Sequence, residues 1–377
     1  MTPRHAIASA RQAGFTLIEL MVGLTLGMLT VAVITQVVVM AEGQKRTTTH
    51  GADAQLNGAL ALYAIQQEAQ MAGYGVSANP AALGCNVRYN VDGTAGSFTL
   101  APVVIADGSH GSDTITFLRS GKTSFSVPIR VSENHAQDGT AFVVQSSVGV
   151  APGDLLMAVP VAPDASNWCS IVEASAGGTT TSIPHAANQG WNPSASFLPA
   201  TGYPASSYLV NLGNPVLRQF ALDATAQILQ KSELVRGTGA WSSAQDMHPQ
   251  IVMMKALYGK DTNDDGVVDS YDRATPSTNA EWRQVLSLRV LVVARSAQFE
   301  KDAVASPDID AANRSVVWDV GTTGVPVKDA LDNAAAACHT GRQCLSVSLS
   351  FLGDDWAHYR YKVYDTVIPL RNRLWNS

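Results

Sequence analysis

"GFTLIELMVGLTLGMLTVAVITQVVVMA" (Gly14–Ala41) is the stretch on which the reading of this 377-residue chain turns. From Phe15 to about Ala41 it is apolar, broken by a single acid, Glu19, and by no base. At about 1.5 Å per residue a helix of this length covers roughly 40 Å, more than the ~30 Å hydrocarbon core of a bilayer. Arg4, His5 and Arg11 precede it. A positive flank on that side keeps the N-terminus cytoplasmic and sends the rest of the chain across. A secretory signal peptide has a shorter apolar core followed by small residues at a cleavage site, and no such site is evident here. A plain membrane anchor would explain the apolar run but not Glu19. A lone carboxylate in hydrocarbon costs a few kcal/mol and usually marks a function.

The motif around that acid, "GFTLIEL" (Gly14–Leu20), resembles the processing site of type IV pilins and type II secretion pseudopilins. The resemblance implies that a prepilin peptidase cuts between Gly14 and Phe15 and methylates the new amine. Residues 1–14 are then a basic leader, Phe15 is the first mature residue and Glu19 the fifth. It further implies that Glu19 of one subunit neutralises the Phe15 ammonium of a neighbour in a dry filament core. Buried charges persist only when paired, so such a contact also sets the register between subunits.

Beyond Ala41 the text turns polar. Within 42–75, Leu56, Leu60 and Tyr63 recur at helical spacing with Ala59 beside them, which predicts an amphipathic continuation packed on the following domain. Gly73, Gly75 and Asn79-Pro80 end it. One helix from about Phe15 to Ala72 is expected. Gly23 and Gly27 suit close helix packing within the membrane.

Residues 76–377 read as β-rich. Short stretches of alternating polarity such as "DTITFLRS", "DLLMAVP", "YLVNLG" and "VLSLRVLVVARS" are bounded by Gly, Asn, Asp and Pro. Their spacing suggests meanders and hairpins, with one short helix over Asp329–His339. The size of the domain calls for insertions into its sheet or for a second β subdomain around 100–200.

The C-terminal half adds a second resemblance. "VMMKALYGKDTNDDGVVDSYDRA", "EWRQVLSLRVLVVARS" and "YRYKVYDTVIPLRNRLW", in that order, resemble the PilW family of type IV pilus minor pilins, relatives of the J-type pseudopilins of type II secretion. The likeness covers residues 11–75 and 250–373. It implies an α+β, type IV pilin-like fold: a long N-terminal helix, membrane half plus amphipathic half, packed on a large antiparallel β-rich globular domain. It also implies a minor pilin that initiates pilus assembly with other minor pilins, the major pilin and a pilus tip protein. Such a protein sits in the inner membrane in a single pass with a periplasmic domain, then in the pilus near its tip. A tip adhesin, a DNA-uptake module and a J-type pseudopilin are the alternative readings.

Inside the second of these matched regions, "DTNDDGVVDSYD" places Asp261, Asn263, Asp265, Val267 (by its carbonyl), Asp269 and Asp272 at positions 1, 3, 5, 7, 9 and 12 of a calcium loop. Gly266 stands at the sharp turn of position 6. Position 12 carries Asp where Glu is usual, and the flanking sequence reads as strand. A structural calcium ion is expected. The plainer reading is an acidic turn.

Four cysteines, Cys85, Cys169, Cys338 and Cys344, and no CxxC pair suit disulfides in an oxidising compartment. Cys338 and Cys344 close the short loop "CHTGRQC", a link that chain entropy values at roughly 2 kcal/mol. Cys85 and Cys169 pair by elimination. The balance of −6, with Lys and Arg dispersed, gives no footprint for nucleic acid. There is no GxSxG, HExxH or phosphate loop, and the histidines are scattered. Asp354 and Asp355 read as a turn, and Tyr359, Tyr361 and Tyr364 as core and edge packing. No enzyme is indicated.

Overall fold

Leu17–Met71 form one helix of 55 residues, α1. The computed structural model describes residues 14–77, 80–122, 127–187, 190–192, 197–304, 309–322, 324–328 and 338–374. The chain divides into two units, residues 1–52 and residues 53–377.

In the second unit the helix ends at a left-handed glycine. Gly73 has φ +78°, and its amide donates to Leu118 O at 2.8 Å. Such a residue costs nothing only without a Cβ. The Asn372 side chain donates to the carbonyls of Met71 (3.2 Å) and Ala72 (3.0 Å), satisfying orphan acceptors of the last turn.

The helix does not pack by the face expected. Leu56, Leu60 and Tyr63 are exposed, as is Ala59. The buried stripe is Ala54, Gly58, Ala61, Ile65, Ala69 and Ala72. Small residues win because the sheet lies so close. A Cβ on Gly58 would stand 2.3 Å from Tyr364 Cε2 and 3.0 Å from the Ala294 Cβ. Tyr364 is in turn fixed by its hydroxyl, which donates to Gln55 O at 2.7 Å.

The sheet under the helix runs in the order Val327–Lys328, Ser270–Asp272, Ile251–Lys260, Val285–Arg295, Tyr361–Pro369. Its pairs are antiparallel except the one between Val327–Lys328 and Ser270–Asp272. Its two central strands are buried on both faces. Met254, Ala256, Tyr258, Leu288, Val290 and Val292 join Ile65 and Ala69 of α1 on one side. Val252, Met253, Leu257, Leu291 and Val293 meet Val316, Trp318, Leu345 and Val347 on the other. Burial of alternate residues in two cores explains why these strands read as continuous apolar runs. The second core is closed by a three-stranded sheet, Ile309–Asp310, Ser315–Thr322 and Arg342–Ser348, which the sequence did not lead us to expect.

The intervening sequence adds two six-stranded sheets. One has the order Thr94–Thr99, Asn86–Val91, Cys169–Glu173, Leu155–Val159, Tyr208–Gly213, Ile129–Arg130. The other runs Ala240–Trp241, Ile228–Val235, Val216–Asp223, Thr114–Arg119, Val103–Ala106, with Gln245–Pro249 also on Ile228–Val235. Both belong to the same unit as the C-terminal sheet. Most of the short helix expected at Asp329–His339 lies outside the described residues.

The fold is therefore α+β: an N-terminal apolar helix and a large, mainly antiparallel β domain. Its disulfides join Cys85 to Cys169 and Cys338 to Cys344.

Candidate functional site

At the start of α1, Thr16 and Glu19 cap each other. Thr16 N and Oγ1 donate to Glu19 Oε2 at 3.0 and 2.9 Å, and Glu19 N donates to Thr16 Oγ1 at 3.3 Å. This reciprocal arrangement satisfies two of the donors that a helix start leaves orphaned. The acid also sits where the helix dipole favours negative charge. Glu19 is thus not the lone carboxylate that its place in an apolar run suggested. The signal that sequence reasoning missed is Thr-x-x-Glu directly before such a run. Both Thr16 donors use Oε2, so Oε1 is left for a further donor. Beside this cap, Phe15 is 89% exposed and nothing lies within 4 Å of a Cβ placed on Gly14.

The helix that follows is long and apolar enough to cross a membrane over Leu17–Gly43, with mean hydropathy 2.2 and none of that window buried. Three of its hydroxyls are satisfied internally. Thr25, Thr30 and Thr35 hydroxyls donate to the carbonyls of Val22, Leu26 and Val31 at 2.8–2.9 Å. Such back-bonding is what a hydroxyl needs where water is absent. An apolar surface of this extent is stable only against lipid or other helices.

The acidic segment is the loop of a hairpin between Ile251–Lys260 and Ser270–Asp272, closed by Asp269 N donating to Lys260 O at 3.0 Å. Asp261 organises it. Its carboxylate accepts from the amides of Asp264 (2.6 Å), Asp265 (3.2 Å) and Gly266 (2.7 Å). Asn263 Oδ1 accepts from Asp265 N at 3.1 Å, and Asp265 Oδ1 from Val267 N at 2.8 Å. Gly266 takes the left-handed turn, φ +83°. Thr262 donates to Asp269 through its amide and its hydroxyl at 2.9 and 2.8 Å. Desolvation pushes the Asp269 carboxyl up, and hydrogen bonding from Thr262, with smaller contributions from Ser270 and Asn263, more than reverses it, so it lies below the ordinary carboxylate range.

Asp272 does not belong with these groups. It lies in the returning strand, opposite Tyr258, where its carboxylate pairs with the buried Lys260 ammonium and accepts from Ala274 N at 2.9 Å. A buried ammonium requires such a partner, and that demand removes Asp272 from the expected ligand set. Among the described residues no three His, Cys, Asp or Glu side chains gather as a metal site. Four of the expected positions, Asp261, Asn263, Asp265 and Asp269, remain in the loop with side-chain oxygens, and Val267 with its carbonyl.

A second ion pair under the sheet also escaped sequence reasoning. Lys255 Nζ donates to Asp113 Oδ1 at 3.0 Å, and Asp113 Oδ2 accepts from Ala256 N at 2.9 Å. Both residues are buried, and desolvation above all raises the Asp113 carboxyl. The signal was a lysine inside the apolar run "IVMMKALYG". Asp354 and Asp355 begin a single 3-10 turn, Asp354–His358, and the first is fully exposed. Tyr359 and Tyr361 pack in the outer core, whereas Tyr364 lies under α1.

Comparison with known proteins matches both ends of the chain. Residues 9–35 match the prokaryotic N-terminal methylation motif, and residues 215–372 match the family of type IV pilus-assembly protein W. The second match starts earlier than the resemblance over 250–373, taking in the strands Val216–Asp223 and Ile228–Val235, and the first stops short of residue 75. No curated protein and no solved structure matches the chain significantly.

Proposed function

The two matched ends identify the chain as a type IV pilin of the PilW family, and from that membership we propose that it is a minor pilin that initiates pilus assembly within a priming complex near the tip. The observation that carries this reading is the start of α1. A carboxylate held by its own helix cap stands one turn from the Gly14–Phe15 bond, at the head of an exposed membrane-length helix. Prepilin peptidase cleaves that bond and methylates the Phe15 amine, which remains cationic. Glu19 keeps its Thr16 bonds through Oε2 and receives the amine of a neighbouring pilin on Oε1. Both buried charges are then paired, as a filament core requires. Before assembly the helix holds the protein in the inner membrane with its β domain in the periplasm. Its partners are other minor pilins, the major pilin and a tip protein, and its role is structural.

The hairpin loop supplies a secondary element, a structural calcium ion held by Asp261, Asn263, Asp265 and Asp269 with the Val267 carbonyl. The residues suit a hard cation. A carboxylate offers about four lone-pair sites, and the loop's internal bonds use three on Asp261 and two on Asp265. Bound there, the ion would screen the crowded carboxylates and fix the hairpin between Ile251–Lys260 and Ser270–Asp272, in the sheet that this reading expects to meet other minor pilins.

The test is complementation of a deletion strain with the wild type and with Glu19→Ala, counting surface pili and membrane-inserted protein. The wild type restores pili. Glu19→Ala inserts normally, being more apolar, and fails to restore them. Normal piliation in the deletion strain would contradict an initiating role, and full rescue by Glu19→Ala would remove the pairing argument.

A further inference from the structure

His135 and His185 lie fifty positions apart and meet ring to ring, with Nε2 to Nε2 at 2.8 Å. They are 4% and 6% exposed. His135 stacks on Phe142, centroids 3.9 Å apart, and His185 lies 5.1 Å from the same ring. Three segments wrap the pair. His135 and Tyr203 exchange backbone hydrogen bonds at 2.8 Å in both directions, and His185 N donates to Thr140 O at 2.8 Å. Gly139 and Gly202 crowd in from the sides, where a Cβ would stand 2.8 Å from the His135 ring and 2.0 Å from the His135 carbonyl oxygen.

The chemistry of this contact is one-sided. A neutral imidazole has one donor and one acceptor nitrogen, so a bond between two Nε2 atoms needs a proton on one and a lone pair on the other. Two added protons make both atoms donors and place like charges at contact distance. No carboxylate among the described residues hydrogen-bonds either ring. Asp138, exposed, is the one acid that acts on His135. The Tyr203 phenol donates to Trp168 O at 3.1 Å and is pushed far up by burial. His135 Nδ1 is buried and has no hydrogen-bond partner among the described residues.

We infer that His135 and His185 form an acid-labile latch, closing residues 131–140 and 182–185 over Phe142 and Tyr203 at neutral pH and releasing them on acidification while the C-terminal sheet stays folded. The direction follows from linkage. Burial, and then repulsion from His135, lower His185 to about 4, and burial lowers His135. The opened chain titrates near 6.5. A base whose pKa is lowered by folding contributes its full stability above 6.5 and loses it as pH falls toward 4. For the His185 proton alone, the opening constant at pH 5 is about 30-fold that at pH 7.5.

Hydrogen exchange of the full-length protein in detergent micelles at pH 7.5, 6 and 5, corrected for intrinsic rates, reads this directly. Amides of 129–144, 182–185 and 203–209 lose about 30-fold in protection by pH 5, and those of 251–260 and 285–295 keep theirs. His185→Phe, protected like the wild type at pH 7.5, flattens the pH response. Equal protection of the latch at pH 5 and 7.5, simultaneous loss in both regions, or an unchanged pH response in a folded His185→Phe would overturn the inference. If that variant does not fold, the wild-type profile decides alone.

Discussion

Gly58→Ala sets two physical effects against each other with opposite signs. On helix propensity alone, alanine for a mid-helix glycine stabilises by about 0.5–1 kcal/mol. Packing says otherwise. The added Cβ would sit 2.3 and 2.7 Å from two ring carbons of Tyr364 and 3.0 Å from the Ala294 Cβ. Tyr364 cannot swing aside freely, because its hydroxyl is bonded to Gln55 O and its strand is paired along its whole length. Overpacking of a close contact costs roughly 1–3 kcal/mol, and loss of the hydroxyl bond adds about 1. Less the propensity gain, the net is a destabilisation of about 1–3 kcal/mol. For a domain of this size each kcal/mol is worth about 2 °C, so the full-length protein in detergent should melt about 2–6 °C lower. In a Tyr364→Ala background the obstacle is gone and Gly58→Ala should stabilise. A single Gly58→Ala that raises the melting temperature would refute the helix-on-sheet contact described here.

Other consequences follow from particular contacts. Lys255→Met leaves the Asp113 carboxylate buried and unpaired, and urea unfolding should show a loss of about 3–5 kcal/mol, whereas Lys255→Met with Asp113→Leu should recover most of it. Calcium in the millimolar range should raise the melting point of the wild type and leave Asp261→Ala/Asp265→Ala unmoved. An identical wild-type melting point in calcium and in chelator would reduce the loop to an acidic turn. Removing Cys85–Cys169, whose partners are 84 residues apart, should cost about 4–5 kcal/mol, against about 2 for the six-residue spacing of Cys338–Cys344. Denaturant midpoints of the two double Cys→Ala variants give that order.

What could be read from the sequence, and what could not, divides along physical lines. The membrane-length helix and its limits were legible, because an apolar run and the punctuation by Gly73 and Gly75 are local signals. The face by which it packs was not. Hydrophobic periodicity points to Leu56, Leu60 and Tyr63, whereas a sheet at contact distance selects Ala54, Gly58 and Ala61 for their smallness. The strands Ile251–Lys260 and Val285–Arg295 were legible for being buried on both sides. Ser315–Thr322 was not, since Asp319 and Gly321 interrupt its apolar pattern. The cap on Glu19 could have been found, as Thr16 stands three residues before it. The diversion of Asp272 to Lys260, and the meeting of His135 with His185, depend on where distant chain segments are brought together, which spacing along the sequence does not encode.

The central claim, that this chain is processed and assembled as a pilin through its Phe15 amine and Glu19, is tested most directly by mass spectrometry of the N-terminal peptide from membranes of cells that make pili. The account predicts a peptide that begins at N-methylated Phe15. A mature protein that retains Met1, or that begins anywhere other than Phe15, would contradict it.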